Sequence, residues 1–382
     1  MRRFFYPQNI FWIEPEEMAE IEKRANEGDK DAKFMLGRFH IVCQPTADST
    51  STAYTLFTEA MALGSLEAEV ELSYMHRYGE SNLPVDIHKS DSMLLHAVSE
   101  GCELAALRYA KRMIYGDLYT EANPKKALEH IDSFIEAGFS PADWYYLKGC
   151  AIEEISGHAA AAQWYLKARE RGCIVAHAYA AVALCYDDKF NLVDHELFLD
   201  LTDKGFAHND TFSFALQRLA ALELYDHMAA EEKEEFIKGI IKDLELIAQM
   251  GIGAAAKTLG DLYRYGEYDQ EEDFDKAWKW YARGALYGYY DCYAGLYSMA
   301  KTKDYEADDN FKEACAIRAI RNGSEEMLRE VVGQNRRGKF TDYAAEIEKY
   351  YIAIYDKMVE EEDEPEIDDD GRYDPYVLIT GE

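Results

Sequence analysis

Residues Ala255 to Gly288 read AAKTLGDLYRYGEYDQEEDFDKAWKWYARGALYG. Ala255, Leu259, Gly260 and Tyr263 recur at the three- and four-residue spacing that gathers side chains on one face of a helix, and Gly266 ends the run. After a polar stretch a second helical pattern begins: Lys276–Ala277, Trp280–Tyr281, Gly284–Ala285 and a closing Gly288. Two such runs on either side of a glycine-marked break make a helix–turn–helix unit. A single hairpin of this kind has an apolar stripe that it cannot cover alone, so the reading predicts neighbours that bury it.

The neighbours are visible as recurring punctuation. Candidate closing glycines are Gly28, Gly64, Gly101, Gly138, Gly172, Gly205, Gly251, Gly288 and Gly323, separated by 36, 37, 37, 34, 33, 46, 37 and 35 residues. Four residues after each come Ala32, Ala68, Ala105, Ala142, Ala176, Asn209, Ala255, Cys292 and Met327. Glycine tolerates the left-handed conformation that ends a helix, and a small residue at the next helix start lets two axes approach closely. The long step predicts an insertion between Tyr225 and Lys233, with the helix around Phe212 to Leu222 out of register. In repeat one the spacing predicts a loose linker from Pro45 through the Ser/Thr run to Thr52.

The pattern A-x3-LG-x2-Y-x2-G…KA-x2-WY-x2-AA-x2-G resembles the Sel-one-like repeat, a relative of the tetratricopeptide repeat. The resemblance implies an all-α, right-handed α–α superhelix, a solenoid of tetratricopeptide-like helix–turn–helix units. On this reading residues 1–14 are an N-terminal arm and 15–358 the solenoid. The solenoid comprises a half-repeat 15–28, repeats 29–64, 65–101, 102–138, 139–172, 173–205, 206–251, 252–288 and 289–323, and a capping repeat 324–358. Residues 359–382 form an acidic tail, expected to be flexible, with nine acids between Glu360 and Asp370 and an apolar, β-prone end at 376–380. Members of the resembling family act as adaptors in bacterial signalling and eukaryotic protein quality control. Some extracellular relatives have been credited with hydrolysis.

Composition narrows the partners. The 382 residues hold 41 Lys and Arg against 73 Asp and Glu, a formal charge of −32. That argues against nucleic acid, whose phosphates require an excess of cations, and would steer basic partners in. No stretch has the length and apolarity to span a bilayer, and MRRFFYPQNIFWIEPEE lacks a signal peptide's apolar region and cleavage site, so a cytoplasmic location is expected. Seven cysteines at irregular spacing make a poor disulfide framework and are expected to pack as small apolar residues.

Chemical motifs are sparse. Glu366-x-Asp368-x-Asp370-Gly371 with Asp374 partly imitates a calcium loop, but Val377 stands where the bidentate Glu belongs. Gly251-Ile-Gly253-Ala-Ala-Ala256-Lys257-Thr258 imitates a phosphate loop, but Ala256 precedes the lysine and a helix precedes the glycines. The ten histidines show no metal spacing, and no nucleophile stands with a positioned base, so no cofactor, metal or catalytic residue is expected. The remaining constellation is basic and aromatic: Arg77, Tyr78, Arg108, Lys111, Arg112, Tyr115, Trp144, Tyr145 and Lys148, on the first helices of repeats two to four. If those helices line a concave face, the cluster could receive a peptide carboxylate or an acidic segment. Alternatively these are solvated residues that neutralise nearby acids. The expected function is a non-catalytic protein-interaction scaffold. The alternatives are an inhibitor or immunity-type protein wrapping a basic partner, and a hydrolase.

Overall fold

The computed structural model describes residues 15–42, 47–138, 141–187, 191–207, 210–222, 225, 228–286, 289–340 and 342–361. The N-terminal arm, Pro45, Asn209, Gly288 and the calcium-like stretch lie outside them, as does the acidic tail beyond Glu361. The described residues are α-helical hairpins, with only the isolated β-bridges Asp117–Thr120 and Tyr186–Leu192.

The chain forms two compact units that divide between Gln217 and Arg218. In the first, α1 (Pro15–Asn26) leads into hairpins α2 (Lys30–Val42) and α3 (Ala47–Ala62), α4 (Leu66–Tyr78) and α5 (Ile87–Ser99), and α6 (Glu103–Tyr115) and α7 (Pro124–Glu136). Two more follow: α8 (Pro141–Ser156) with α9 (His158–Glu170), and α10 (Ala176–Cys185) with α11 (His195–Ala207). The division falls inside α12 (Thr211–Leu222). The second unit contains α13 (Ala230–Gln249), then α14 (Gly253–Tyr265) with α15 (Phe274–Leu286), and α16 (Tyr290–Thr302) with α17 (Asp309–Arg321). It ends in α18 (Glu325–Asn335), α19 (Ala344–Glu346), a π-helical turn Ile347–Tyr351 and α20 (Ile352–Glu361). Within the units the first helices of successive hairpins pack on one another, α4 on α6, α6 on α8 and α14 on α16.

One turn closes most hairpins. Gly64 and Gly172 take φ of +85° and +92°, and Gly28, Gly101, Gly138, Gly251 and Gly323 also have positive φ. The next residue's N–H then returns to the carbonyl five residues back, as in Ser65 to Ala60, Cys173 to Ala168 and Ser324 to Ala319. This is the six-to-one bond of a Schellman motif. Gly205 is different. It lies inside α11 without a positive φ, and the returning bond runs from Asp210 to Gly205 itself. The small anchor's equivalent is therefore Ser213, four residues later than the sequence spacing suggests. Gly205 is required by proximity instead: a Cβ there would stand 2.1 Å from Ser213 Oγ and 2.8 Å from His177 Cβ.

A second recurring device sits inside the hairpins. The first-helix glycines Gly37, Gly149 and Gly260 face the second-helix rings of Phe57, Tyr165 and Tyr281, where a Cβ would come within 2.6, 2.5 and 2.4 Å. Counting back five residues from these glycines gives Ala32, Trp144 and Ala255. In repeat four the buried anchor is thus Trp144, not Ala142. Two further expectations are corrected. The Ser/Thr run 49–52 is helical, within α3. The long step of repeat six lengthens its second helix, for α13 has 20 residues where α15 and α17 have 13.

Candidate binding face

The second helices of several hairpins are started by side-chain caps. Asp86, Asn123, Asp273 and Asp308 accept the N–H of Lys89, Lys126, Lys276 and Phe311. The caps' own N–H groups reach back across the hairpin, Asp86 to His76 O, Asn123 to Met113 O and Asp273 to Tyr263 O. Each cap therefore satisfies a helix start while fixing the angle between the two helices. The ends of α4 and α6 are held in this way; Arg77, Tyr78, Arg108, Lys111, Arg112 and Tyr115 ride on them, and Trp144, Tyr145 and Lys148 on α8.

Arg77 is 1% exposed. Its Nε and Nη2 donate to the Asp117 carboxylate at 2.5 and 2.7 Å, its Nη1 to Asp91 Oδ1 at 3.0 Å, and Nη2 also to Thr120 Oγ1. The Tyr78 hydroxyl donates to Asp117 at 3.3 Å, and Arg112 pairs with Asp91 at 3.0 Å. The same clamp recurs in the second unit, where Arg264, nine residues after its anchor Ala255 as Arg77 is after Ala68, holds Asp304 at 3.0 Å. In both cases the acid follows the arginine by 40 residues, in the next repeat. Arg77 is thus a repeat-to-repeat clamp. Its buried guanidinium offers no surface to a partner, which corrects its assignment to the binding face.

Trp144 is corrected as well. It is fully buried and stacks on Phe134 at 4.6 Å and 15°. As the anchor of repeat four it belongs to the seam between repeats.

The others are half-buried, and among them Arg108, Arg112 and Lys148 are ion-paired. Arg108 donates to Glu71 at 2.7 and 3.2 Å, and Glu71 also accepts from Arg38 at 3.0 Å. Burial would raise the Glu71 carboxyl, but the guanidiniums of Arg108 and Arg38 outweigh it and hold the group below the usual range. Lys148 reaches Asp132 at 2.6 Å. Four of the cations predicted from sequence (Arg77, Arg108, Arg112 and Lys148), joined by Arg38, are thus paired with Glu71, Asp91, Asp117 and Asp132, while Lys111 lies over Tyr115. The cluster retains an excess of positive charge, smaller than the sequence suggested.

What remains at the surface is a series of rings with cations over them. Arg108 lies 5.0 Å from the centroid of Tyr74, which is 45% exposed, and Tyr74 packs on Tyr78 at 4.9 Å. Lys111 lies over Tyr115 at 5.8 Å and Lys148 over Trp164 at 4.3 Å. Tyr145 stacks with Trp164 at 6.0 Å and is covered by Lys167 and Arg171 at 4.5 and 4.8 Å. Sequence reasoning missed Tyr74, Trp164 and Arg38. Tyr74 sits at helical spacing from Arg77 and Tyr78, whereas Arg38 comes from α2 and Trp164 from a second helix, and no one-helix pattern would find either.

Among the described residues no group of three or more His, Cys, Asp and Glu is placed to hold a metal, and no helix is long and apolar enough to cross a membrane. Cys102, Cys150, Cys173, Cys185, Cys292 and Cys315 are buried and unbridged. Burial raises the thiols of Cys150, Cys185 and Cys315 to about 12, as suits apolar packing.

No protein-family model and no curated protein matches the chain. Solved structures similar to it include two helical-repeat proteins. One is a Sel1 repeat protein from Oxalobacter formigenes, 18% identical, with 86% of this chain and 96% of that one covered and a TM-score of 0.39. The other is a protective antigen present in uropathogenic Escherichia coli strains that displays an SLR fold, 17% identical, with 94% and 77% covered and a TM-score of 0.40. Neither carries a residue role over to this chain. The repeat assignment rests on the chain's own recurrences: the left-handed closing turn, the glycine under an aromatic ring, the capped second helix and the clamp to the next repeat. The molecule is a helical-repeat protein whose hairpins follow the Sel-one-like pattern.

Proposed function

We propose that the chain is a non-catalytic interaction scaffold that binds a peptide or partner protein along the first helices α4, α6 and α8. The observation that carries this reading is the set of cation-capped rings at Tyr74, Tyr115 and Tyr145, with Trp164 beside them. Arg108 and Lys148 are held over their rings by fixed acids, so little side-chain entropy is lost when a ligand arrives. Rings supply contact area and the cations direct a carboxylate or backbone carbonyls. The contributing residues are Tyr74, Tyr78, Arg108, Lys111, Arg112, Tyr115, Tyr145 and Lys148.

The test is affinity purification with mass spectrometry, comparing wild type with Tyr74→Ala/Lys111→Glu and with Tyr145→Ala. These changes avoid Arg108, whose removal would cost Glu71 two of its three hydrogen bonds. Loss of the same partners from both variants is expected. An unchanged partner set in both would sink the reading.

The −32 charge favours a second reading, a basic partner wrapped by the acidic chain. In that case complex formation would weaken steeply with salt and the Lys111→Glu change would tighten it.

A further inference from the structure

The second unit holds a cationic cleft that the repeat pattern does not explain. It measures about 340 Å³ and lies along α16, α18 and the turn after α18. Its lining includes Lys301, Arg329, Arg337 and Lys339 against one carboxylate, Glu330. Glu330 is already committed, accepting from Tyr297 at 2.9 Å, Lys301 at 2.6 Å and also Gln334. Among the described residues, Arg337 and Lys339 have no ion-pair or hydrogen-bond partner for their side chains. In a chain of net charge −32, two such cations side by side need a reason.

Gly333 is a second, independent observation. It sits inside α18 and lines the cleft, and nothing lies within 4 Å of where its Cβ would be. Gly37, Gly149 and Gly260 are forced by a ring; Gly333 is not. A glycine inside a helix costs about 1 kcal/mol relative to alanine, so it normally serves close packing or the close approach of another chain. Gly239 in α13 is equally open, so it is the conjunction of bare backbone and cations that counts here.

We propose that this cleft receives the chain's own acidic segment Glu360–Asp370, most of which lies outside the described residues. Charge is the first argument: nine carboxylates in eleven residues complement a cleft whose lining holds more cations than acids. Tethering is the second. α20 packs beside α18, with Asp356 on Arg336 at 3.1 Å, and Arg336 adjoins the cleft residue Arg337. Five residues of helix, about 7.5 Å of rise, separate Asp356 from Glu361. The segment is therefore tethered within about 7.5 Å of helix of an ion pair next to the cleft, a span that a few extended residues, at about 3.3 Å each, can cover. An acidic peptide from elsewhere would have to approach a strongly negative molecule, whereas a tethered one is present at an effective concentration on the order of millimolar. The proposal concerns the second unit alone and stands apart from the function proposed for α4, α6 and α8.

The test uses the full chain and zero-length carbodiimide cross-linking read by mass spectrometry. Lys301–Glu330 is the internal control. The expected result is cross-links from Lys339 or Lys301 to carboxylates within 362–370, unchanged on protein dilution and reduced at least about fivefold by half-molar salt, where exposed charges are screened. A labelled synthetic peptide of residues 360–370 should bind about tenfold or more tightly to a full-length variant with the nine acids replaced by Ser or Gln than to wild type. Arg337→Ser with Lys339→Ser, both at exposed positions, should abolish that binding. Cross-links only to other sites, or only between molecules, would overturn the proposal. So would equal peptide binding to wild type and the neutralised variant, which would make the cleft a vacant site for an external acidic ligand.

Discussion

The Arg38–Glu71–Arg108 triad makes a prediction about which buried charge the first unit depends on. Their side chains are 4%, 7% and 15% exposed, and all three hydrogen bonds among them end on Glu71. Glu71→Ala leaves two buried guanidiniums facing each other. Breaking a buried pair in this way costs about 3–5 kcal/mol. Arg38 contributes less than its position suggests, because its Nε and Nη2 are buried with no partner. Arg38→Met removes those unsatisfied donors and leaves the two Arg108–Glu71 bonds intact, so its cost should stay within about 1 kcal/mol of wild type. A repeat array need not unfold in one step, so the readout should be local: hydrogen exchange of the amides of α4 and α6. A loss of about 3 kcal/mol corresponds to exchange faster by about 100-fold. The pH dependence follows from the same site. The folded pKa of Glu71 is lowered, so its stabilisation is full above the unfolded value near ~4.3 and is lost as pH falls through the lower folded value. Glu71→Gln should remove that acid-side transition. Protection within threefold of wild type in Glu71→Ala, or an Arg38→Met penalty as large as that of Glu71→Ala, would refute the reasoning.

Three further outcomes are expected. Gly260→Ala should destabilise the second unit by about 1–3 kcal/mol through collision with Tyr281, whereas Gly239→Ala should be neutral or stabilise by up to about 1 kcal/mol; thermal denaturation separates them. Asp210 is buried, and burial outweighs its bonds from Ser213 Oγ and the Phe212 N–H and lifts its carboxyl to about 6. An acid raised in the folded state binds more protons there, so the first unit should lose stability as pH rises from the unfolded value near ~3.9 to about 6, and Asp210→Asn should flatten that slope in a Tm–pH series. The six described cysteines should resist a thiol reagent in the native protein and react on denaturation; rapid native modification of Cys150 would contradict its burial.

The hairpins were legible because their punctuation is local. A closing glycine and a small anchor four residues later are two ends of one turn, and both stand in the sequence at fixed spacing. The reading slipped where a residue does a different job with the same identity. Gly205 satisfies close packing and not a left-handed turn, and Trp144 holds the place of an alanine because its helix begins in a different register. The candidate face was half legible for a related reason. Spacing along one helix brought Arg108, Lys111, Arg112 and Tyr115 together, but not the acids that hold the cluster, because Glu71 is 37 residues from Arg108 and Asp117 is 40 from Arg77.

That separation is itself a rule for repeats of this length. A cation nine positions after the anchor and an acid about one repeat later meet across the seam, as Arg77 does with Asp117 and Arg264 with Asp304. Such a pair is fixed by stacking and would be present whatever the molecule binds. Cations with a mate one repeat away therefore say little about ligands, and informative ones lack such a mate. Lys111, placed over Tyr115, meets that condition in the first unit, and Arg337 and Lys339 meet it in the second. The proposed cleft survives that subtraction, and the proposed face does so through Lys111 and its rings and not through Arg108. A third site defined only by clamp residues, such as the surroundings of Arg264, would not.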